Sequence, residues 1–431
     1  MTITIQEITD REQWNGFLTS QPRGHLLQSY EWGELSQYLG ARIYRLGVLE
    51  NGCMAGAMQL IVSSVPMPVS VPGLHFDWLY CARGPTVAQP GSSALTALVE
   101  HTHAIARREH AVVLRLEPNI ADDEPVGALS GACGAATQSG DTCPPDRVLC
   151  VDPSRPPPQR SEAEQRRSLG IPVPQTGCCM SILRPTEMEN WITAYRSLGF
   201  QINPFSVHER RSWVLDIRPD AEQLLANFKM TWRQNVRVAE RKGVIVHEAE
   251  NDADVDAYYN LLKITSERDA FFIHSKDYHK EVLRQFAAKG DAVLYLAEHE
   301  GEDLAAKMLI RFGDWCWDMF GASSNNKRNL KATYLLQYRC LQWAKAHGCS
   351  YFDFRAIPEI LEPGEAMWGV YEYKKGFGGF SRLHMPTQDY VYRPLVYTAW
   401  RKFVEVRRAR HHAERKKVEL ERAARGKGDK E

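Results

Sequence analysis

The sequence predicts an α/β fold with mixed sheets, divided into more than one domain. Its 431 residues exceed the usual length of a single domain. Helical and strand periodicities alternate both in residues 1–120 and in residues 183–390, as in layers of helices packed on a mixed sheet. A composition of 44% hydrophobic and 25% charged residues is ordinary for a globular protein that buries a sizeable core.

Charge and hydropathy exclude several classes of protein. The formal net charge is zero, so no global field attracts nucleic acid, although residues 401–431 carry 12 Lys and Arg against 6 Asp and Glu. The first residues, MTITIQEITDREQWNGF, include early acids and lack the apolar segment of a signal peptide. No apolar run reaches the length of about 18 residues that a membrane span requires. We therefore expect a cytoplasmic protein.

Residues 1–120 are predicted to form the first domain. The pattern predicts these elements in order: a helix from about Ser29 to Leu39, strands Ile43–Leu49 and Ala55–Val62 joined across Asn51-Gly52, a helix from about Ser93 to Glu109, and strand Ala111–Leu116. The mixed order of strands and helices suits an α/β domain.

Residues 121–182 differ in amino-acid composition from the segments on either side. They contain Pro-Pro-Pro, Gly and Ser runs and almost no periodic apolar pattern, which predicts a flexible insertion. Five of the ten cysteines fall here: Cys133, Cys143, Cys150, Cys178 and Cys179. They lack paired C-x-x-C spacing, and a cytoplasmic chain is not expected to hold structural disulfides. We expect no metal site.

Residues 183–390 are predicted to form the second domain. The elements expected are helix Met188–Leu198, strand Trp213–Ile217, one helix Ala221–Lys242, a helix from about Val255 to Ser266, and strands Ala292–His299, Ala305–Phe312 and Trp315–Gly321. The helix over 221–242 carries a row of cations: Lys229, Arg233, Arg237, Arg241 and Lys242. Such a row is either a solvated basic face or a surface that contacts phosphate.

The stretch from Thr333 to Phe380 carries the strongest signals. A helix ends at Gly348, where a left-handed cap is needed, and Ser350–Phe354 alternates as a strand with Asp353 near its end. An irregular loop follows, and then a basic aromatic-glycine turn from Tyr373 to Gly379. Asp353 is interpreted as a structural acid at a strand end, or as an acceptor of a proton during catalysis.

These motifs together resemble a known family. YLLQYRCLQWAKAHGCSYFDF, EYKKGFGGF, RQNVR, QSYEWG and ARGP are similar to segments of the Fem (FemABX) aminoacyltransferases. The resemblance covers residues 24–120 and 187–401. It implies two tandem acetyltransferase-like (GNAT-like) domains and transfer of an amino acid from aminoacyl-tRNA to an amine of a UDP-linked or lipid-linked muropeptide, in cell-wall synthesis and without a cofactor.

The resemblance also implies a set of site residues. Lys374 and Tyr373 correspond to the aromatic-lysine pair at the family's reaction centre, although Lys374 and Lys375 also suit a solvated loop. The residues that would bind substrate are Arg83, Arg233, Arg237, His274, Tyr278 and Trp32. His274 is also interpreted as an ordinary surface-loop residue.

Several positions depart from the family pattern. The family often has lysine where this chain has Ser36, an acid where it has Ala88, arginine where it has His274, and tyrosine where it has Met319 or Phe320. These family positions contact the acceptor, so the resemblance leaves the acceptor and the transferred amino acid open.

The chemistry implied by such a donor needs no covalent nucleophile. An aminoacyl ester is already activated, so the enzyme must orient a neutral amine and stabilise the oxyanion that develops on the carbonyl. We therefore expect a cation, Lys374, and hydrogen-bond donors at the site.

Two other functions compete with this hypothesis. A divergent acetyltransferase would use acyl-CoA, but the segment before the helix, Asn325–Ala332, has none of the glycines of a pyrophosphate-binding turn. A non-catalytic protein would bind tRNA or a wall precursor without turnover.

Residues 391–431 are predicted to form a C-terminal amphipathic, basic helix, with Tyr397, Trp400 and Phe403 on its apolar side. It is interpreted as a solvated terminal helix. It also suits contact with tRNA or with anionic lipid on the inner membrane face.

Overall fold

A computed structural model describes residues 2–65, 76–124, 185–407 and 409–410. These residues form two mixed β-sheets with helices packed against them. Apart from residues 121–124, the predicted insertion and its five cysteines lie outside the described residues. None of the described helices combines the length and the apolar character that a membrane span requires.

The first sheet is built mostly from the N-terminal residues. Its strands are β1 (Ile3–Glu7), β2 (Arg42–Glu50), β3 (Cys53–Ser64), β4 (Asp77–Arg83), β5 (Thr86–Val87), β6 (Ala111–Pro118), β8 (Gln201–Asn203) and β16 (Thr387–Val391). The order is β1-β2-β3-β4-β6-β16-β8, with β5 paired to β3. The β2–β3 hairpin turns at Asn51 and Gly52, which both have positive φ, as the Asn-Gly dipeptide predicts.

Four helices of the described residues flank this sheet. They are α1 (Arg11–Ser20), α2 (Tyr30–Tyr38), α3 (Ser93–Arg108) and α4 (Pro185–Ser197). Helices α3 and α4 bury their apolar sides on strands β2, β3, β4 and β6, with Leu95, Leu98, Trp191 and Tyr195 at most 1% exposed. The predicted strands and helices of residues 1–120 are therefore confirmed to within a few residues.

The second sheet has the order β10-β11-β12-β13-β14-β9-β15-β7. Its strands are β7 (Ala121–Glu124), β9 (Arg211–Asp216), β10 (Ile245–Glu248), β11 (Ala292–His299), β12 (Glu302–Phe312), β13 (Trp315–Ser323), β14 (Tyr351–Ala356) and β15 (Phe380–His384). The helices of this half are α5 (Ala221–Asn227), α6 (Met230–Arg241), α7 (Asp252–Asp269), α8 (Lys276–Ala287), α9 (Ala332–Ala346) and α10 (Trp368–Lys375).

The two sheets exchange strands. Strand β7, which directly follows the first half in sequence, pairs with β15 in the second sheet. Strand β16, from the far end of the chain, pairs with β6 and β8 in the first sheet. A salt bridge fixes this arrangement, because the buried Arg115 on β6 donates to both carboxylate oxygens of Asp389 on β16, at 2.8 Å. The division at residues 120 and 183 stays a prediction.

Two predicted elements are wrong. The single helix expected over Ala221–Lys242 is two helices, because the backbone of Phe228 and Lys229 is extended between α5 and α6. The basic turn expected at Tyr373–Gly379 begins as helix, since Tyr373, Lys374 and Lys375 form the last turn of α10.

The tail continues as a helix over residues 394–407. Its apolar side is not free, because Tyr397 and Trp400 pack on Val112 and Val113 of the first sheet. The exposed side of this helix carries Arg401, Lys402 and Arg407, together with the apolar residues Leu395 and Val406.

Candidate functional site

The site lies where two parallel strands separate. Strands β13 and β14 pair only over Trp315–Trp317 and Tyr351–Asp353. Beyond this point β13 stays with β12, and β14 stays with β9. In the first sheet, by contrast, the parallel strands β4 and β6 remain paired along all of β4. The opening therefore belongs to the second sheet.

A bulge in β13 widens this opening. Leu309 pairs with Asp318 and Met308 pairs with Phe320, so Met319 is an extra residue without a partner on β12. A bulge breaks strict alternation and turns consecutive side chains toward one side. Residues 318–324 consequently all border one cavity.

The cavity has a volume of about 820 Å³. One wall comes from β13, the opposite wall from Phe354–Ala356 at the end of β14, and the floor from helix α7 and strand β12. The polar side chains that border it are Thr265, Arg268, Asp269, Lys307, Asp318, Ser323, Ser324, Asn326, Lys327, Arg328, Lys331, Thr333, Tyr334, Arg355, Tyr373 and Lys374.

Lys374 reaches this cavity from the last turn of α10. Its Nζ donates a hydrogen bond of 2.7 Å to the carbonyl oxygen of Ala356, at the end of β14. An ammonium group has three donors, so two remain for a substrate. Burial lowers the pKa of Lys374 to about 8, with Lys307 acting in the same direction and Asp318 opposing it. Lys374 is thus a cation at neutral pH that loses its proton more readily than an exposed lysine.

Close packing fixes the end of α10. Gly376 lies against the indole of Trp232 on α6, where a Cβ atom would come within 2.3 Å of the ring. The indole Nε1 donates to the carbonyl oxygen of Tyr373 at 2.9 Å. The glycine in the predicted basic turn is therefore needed for a close approach between α10 and α6.

Tyr373, the second predicted catalytic residue, uses its hydroxyl elsewhere. The hydroxyl donates to the carbonyl oxygen of Thr333 at the start of α9, at 2.9 Å. Burial raises the pKa of Tyr373 well above its usual value. This contact ties α10 to α9 beside the cavity, and a catalytic role for Tyr373 stays a prediction.

An ion pair faces Lys374 across the cavity. Asp318 Oδ2 accepts a hydrogen bond from Lys307 Nζ, which also donates to Gln337 Oε1 at 2.6 Å. Asp318 and Lys307 are on neighbouring strands, β13 and β12. Neither residue belongs to the predicted site, since a lysine and an aspartate 11 positions apart in two strands give no local motif.

A second charged group links the cavity to the first sheet. Arg355, which borders the cavity and has φ of 63°, donates to Glu209 Oε2 at 2.9 Å and to Met319 Sδ at 3.1 Å. Arg83, also at positive φ, donates to the carbonyl oxygen of Glu209 at 2.6 Å. Burial would raise the pKa of Glu209, but the charges of Arg355 and Arg83 outweigh it and lower the pKa to about 2. Arg83 is 4% exposed, and its guanidinium already has a partner in Glu209.

His274 and Tyr278 are stacked on each other. Their ring centroids are 4.0 Å apart and their planes meet at 24°. Burial lowers the pKa of His274, so the imidazole is neutral at pH 7 where the family's arginine would be charged. Tyr278 is 6% exposed, and burial raises its pKa to about 12, against the charge of Arg355. The pair therefore lies near the cavity wall that carries Arg355.

The other predicted binding residues are spread more widely. Arg233 donates to the carbonyl oxygen of Phe228 at 2.8 Å and to that of Ala226, so it closes the C-terminus of α5. Arg237, one turn further along α6, is exposed. Trp32 packs between the apolar clusters of the two sheets. The structure therefore brings together at the cavity only Lys374 and Tyr373 of the predicted set, with Tyr278 nearby.

Comparisons with known proteins agree with this geometry. A model of an acetyltransferase (GNAT) domain matches residues 226–375, which include β13, β14 and Lys374. The chain is 21% identical over 458 aligned positions to a lipid II:glycine glycyltransferase of Staphylococcus aureus (strain USA300), covering 90% of this chain and 93% of that protein. It is 22% identical over 453 positions to the protein of the same name from Staphylococcus saprophyticus, with the same coverage.

A solved structure shows the same fold along almost the whole chain. The crystal structure of FemX superimposes with a TM-score of 0.70 at 18% identity, covering 92% of this chain and 99% of that one. This chain has two mixed sheets, each with one parallel pair of strands. This arrangement is a tandem acetyltransferase-like fold. Both the sequence match and the shared fold extend over nine-tenths of its length, so the chain is similar in sequence to the lipid II:glycine glycyltransferases and has the fold of FemX.

Proposed function

We propose that this protein transfers an amino acid from aminoacyl-tRNA to an amine of a peptidoglycan precursor, on the cytoplasmic side of the membrane. One observation carries the proposal: an ammonium group, Lys374, faces a cavity of about 820 Å³ at the point where β13 and β14 separate. The similarity to lipid II:glycine glycyltransferases supports a lipid-linked muropeptide as acceptor, and a UDP-linked one is the alternative.

The proposed reaction requires only charge and position from the protein. The neutral amine of the acceptor attacks the ester carbonyl, the new C–N bond forms, and the ester C–O bond to the tRNA ribose breaks. The amine loses a proton, and the departing ribose oxygen gains one. Lys374 stabilises the negative charge that develops on the carbonyl oxygen, which in a partly dehydrated cavity contributes strongly to the rate.

The surface around the cavity supports an RNA donor. Lys327, Arg328 and Lys331 border the cavity, and Lys242 at the end of α6 donates to the carbonyl oxygen of Asn329 in the same loop, at 3.2 Å. The exposed cations of α6, Arg237 among them, therefore continue the basic border of the cavity. A charged row that starts at the reacting group suits the phosphates of a tRNA 3′ end.

The acceptor contacts differ from the family pattern. Ser36 donates to the carbonyl oxygen of Trp32 at 2.9 Å within α2, and His274 is stacked and neutral. Neither side chain offers the positive charge that the family often places there to contact the acceptor. We infer that this protein binds its acceptor less through the diphosphate than through the muropeptide.

Contact with the membrane would rest mainly on charge. Tyr397 and Trp400 are packed on the first sheet, so the described part of the tail helix offers the lipid two exposed large apolar side chains, Leu395 and Val406. Its exposed basic residues remain available, each contributing roughly 1 kcal/mol near an anionic surface.

A transfer assay tests the proposal. Radiolabelled aminoacyl-tRNAs are mixed with lipid-linked and UDP-linked muropeptides, and label in the muropeptide is measured for the wild type, Lys374→Ala and Lys375→Ala. We expect transfer by the wild type, a loss of about 10²-fold or more for Lys374→Ala, and near-normal transfer for Lys375→Ala. Lys375 is a matched control because it neighbours Lys374 but lies over the ring of Tyr371, near Glu372.

Two outcomes would replace the proposal. Acylation of an amine in the same pool by acetyl-CoA, without transfer from tRNA, would identify a CoA-dependent acetyltransferase. Binding of tRNA or muropeptide with no turnover from either donor would identify a non-catalytic binding protein.

A further inference from the structure

The cavity is rich in cations and poor in carboxylates. Lys307, Lys374, Arg355 and the basic residues of its border are all positive, whereas Asp318 and Asp269 are the two acids among its described lining residues. Asp269 is paired with the guanidinium of Arg268, at 3.0 Å. Asp318 is therefore the carboxylate that a ligand inside the cavity would meet.

One oxygen of Asp318 is held and the other faces the cavity. Oδ2 accepts the hydrogen bond from Lys307, while no donor in the described part of the chain reaches Oδ1. Oδ1 is nonetheless accessible to solvent. It lies 3.9 Å from where a Cβ atom would stand on Gly321, another cavity residue.

We propose that Asp318 Oδ1 binds the α-ammonium group of the aminoacyl donor, so that the cavity selects donors with a free amino group. This inference rests on the proposed function. An ammonium group that leaves water needs an anionic partner, and a carboxylate fixed by a neighbouring lysine provides one without reorganisation. In the donor, the α-carbon joins the amino group to the ester carbonyl. With its amino group bound at Asp318, the donor then has its carbonyl carbon between Asp318 and Lys374.

The arrangement assigns separate tasks to two lysines. Lys307 holds Asp318 in place through Oδ2, and two N–H donors of Lys374 remain for the carbonyl oxygen. Gly321 keeps the space in front of Oδ1 open, since it has no side chain and the atoms nearest to a Cβ there, Asp318 Oδ1 and the Lys307 stem, are 3.9–4.0 Å away. A neutral acyl group such as acetyl would leave Oδ1 without a partner.

The test compares donors that differ in one group. The kcat/KM of the transfer reaction is measured for an aminoacyl-tRNA pool and for the corresponding 2-hydroxyacyl-tRNAs, in which a hydroxyl replaces the α-amino group. We expect the wild type to prefer the aminoacyl donors by about 10- to 100-fold, the effect of one hydrogen bond between charged groups. Asp318→Asn should reduce this preference to a few-fold.

A second variant leaves the ion pair intact. Gly321→Val places methyl groups in front of Oδ1 while Asp318 and Lys307 are unchanged, and its φ does not require glycine. It should slow aminoacyl transfer and reduce the preference in the same way. If Asp318→Asn fails to fold, Gly321→Val alone decides the question.

The outcomes separate this inference from the proposed function. Equal use of aminoacyl and hydroxyacyl donors by the wild type, or an unchanged preference in both variants, would overturn the role of Asp318 while the function stands. If the wild type transfers nothing from tRNA, the proposed function fails and the inference fails with it.

Discussion

The ammonium group of Lys374 donates a hydrogen bond to the carbonyl oxygen of Ala356, and this contact joins the end of helix α10 to the end of strand β14. Because β14 has just parted from β13, the contact also fixes Lys374 on one wall of the cavity. The orientation of the proposed reacting group thus depends on two elements that are 18 residues apart in sequence.

Replacing Lys374 should change how the rate depends on pH. A residue that acts as a cation with a pKa of about 8 loses its charge as the pH rises through 8. Lys374→Arg keeps its charge in this range, so its lower rate should follow only the deprotonation of the acceptor amine. The ratio of the wild-type rate to the Lys374→Arg rate should therefore fall through pH 8. Transfer is measured from pH 6 to 9, with spontaneous hydrolysis of the donor ester subtracted. A ratio that rises through pH 8 would instead make Lys374 a base.

A methyl group at residue 376 should destabilise the protein. The Cβ of Gly376→Ala would overlap the Trp232 ring, and overpacking of this kind costs about 1–3 kcal/mol. Gly369→Ala, in the same helix, meets nothing within 4 Å and should leave stability unchanged or slightly higher. Urea unfolding of both variants measures the difference. Equal stability of the two would show that α10 shifts freely against α6.

Glu117 should contribute stability that is lost in acid. Its carboxylate accepts from the amides of Val207 and His208 and from the Tyr80 hydroxyl at 2.6 Å. Burial would raise its pKa, but the hydrogen bond and charge of His208 and the Tyr80 hydroxyl outweigh it and lower the pKa to about 2. Since the folded state favours the ionised form, the contribution is complete above about pH 4.5 and disappears as the pH falls toward 2.

Glu117→Gln makes this measurable. At pH 7 it should lower the free energy of unfolding by about 1–3 kcal/mol, and the difference from the wild type should shrink between pH 4.5 and 2. Glu100→Gln, at an exposed position on α3, is the control and should match the wild type at each pH. A constant difference across this range would assign the effect of Glu117→Gln to packing alone.

The basic surface should be visible in the salt dependence of tRNA binding. Each phosphate contact that is lost lowers the slope of log affinity against log salt concentration by about 0.7 to 0.9. We expect this change for Arg237→Ala and for Arg328→Ala, whereas Arg284→Ala on helix α8 should keep the wild-type slope. Arg284 is a fair control because its side chain is 68% exposed and ion-paired with Glu281 on its own helix. Unchanged slopes in all three variants would contradict an RNA site on this surface.

Much of the fold follows from local sequence patterns. Helix α9 ends at Ala346 and Gly348, just past its cap, has φ of 77°; α3, β2, β3 and β11 match their predicted spans closely. These elements combine strong periodicity with residues that favour a cap or a turn. The apolar spacing continues across Phe228 and so hides the break between α5 and α6, which is held by a distant contact: the Lys229 amide donates to the carbonyl oxygen of Gly376 at 2.8 Å.

Sequence patterns predict only part of the candidate site. Lys374 could be proposed from a motif, but its place in a helix depends on packing against Trp232. Asp318 and Lys307 are brought together by the pairing of β12 with β13, and the bulge at Met319 that turns Asp318 toward the cavity follows from that pairing. Long-range register of this kind leaves no signal in a single sequence.

The exchange of strands between the sheets also constrains synthesis of the protein. The first sheet lacks β16 until residue 391 has left the ribosome, and the buried Arg115 has no Asp389 to pair with before then. The N-terminal half must therefore wait, incomplete and with an unpaired sheet edge, for more than 250 residues of translation. We therefore expect the first sheet to be completed only late in synthesis, and until then its open edge is of the kind that pairs with other exposed strands.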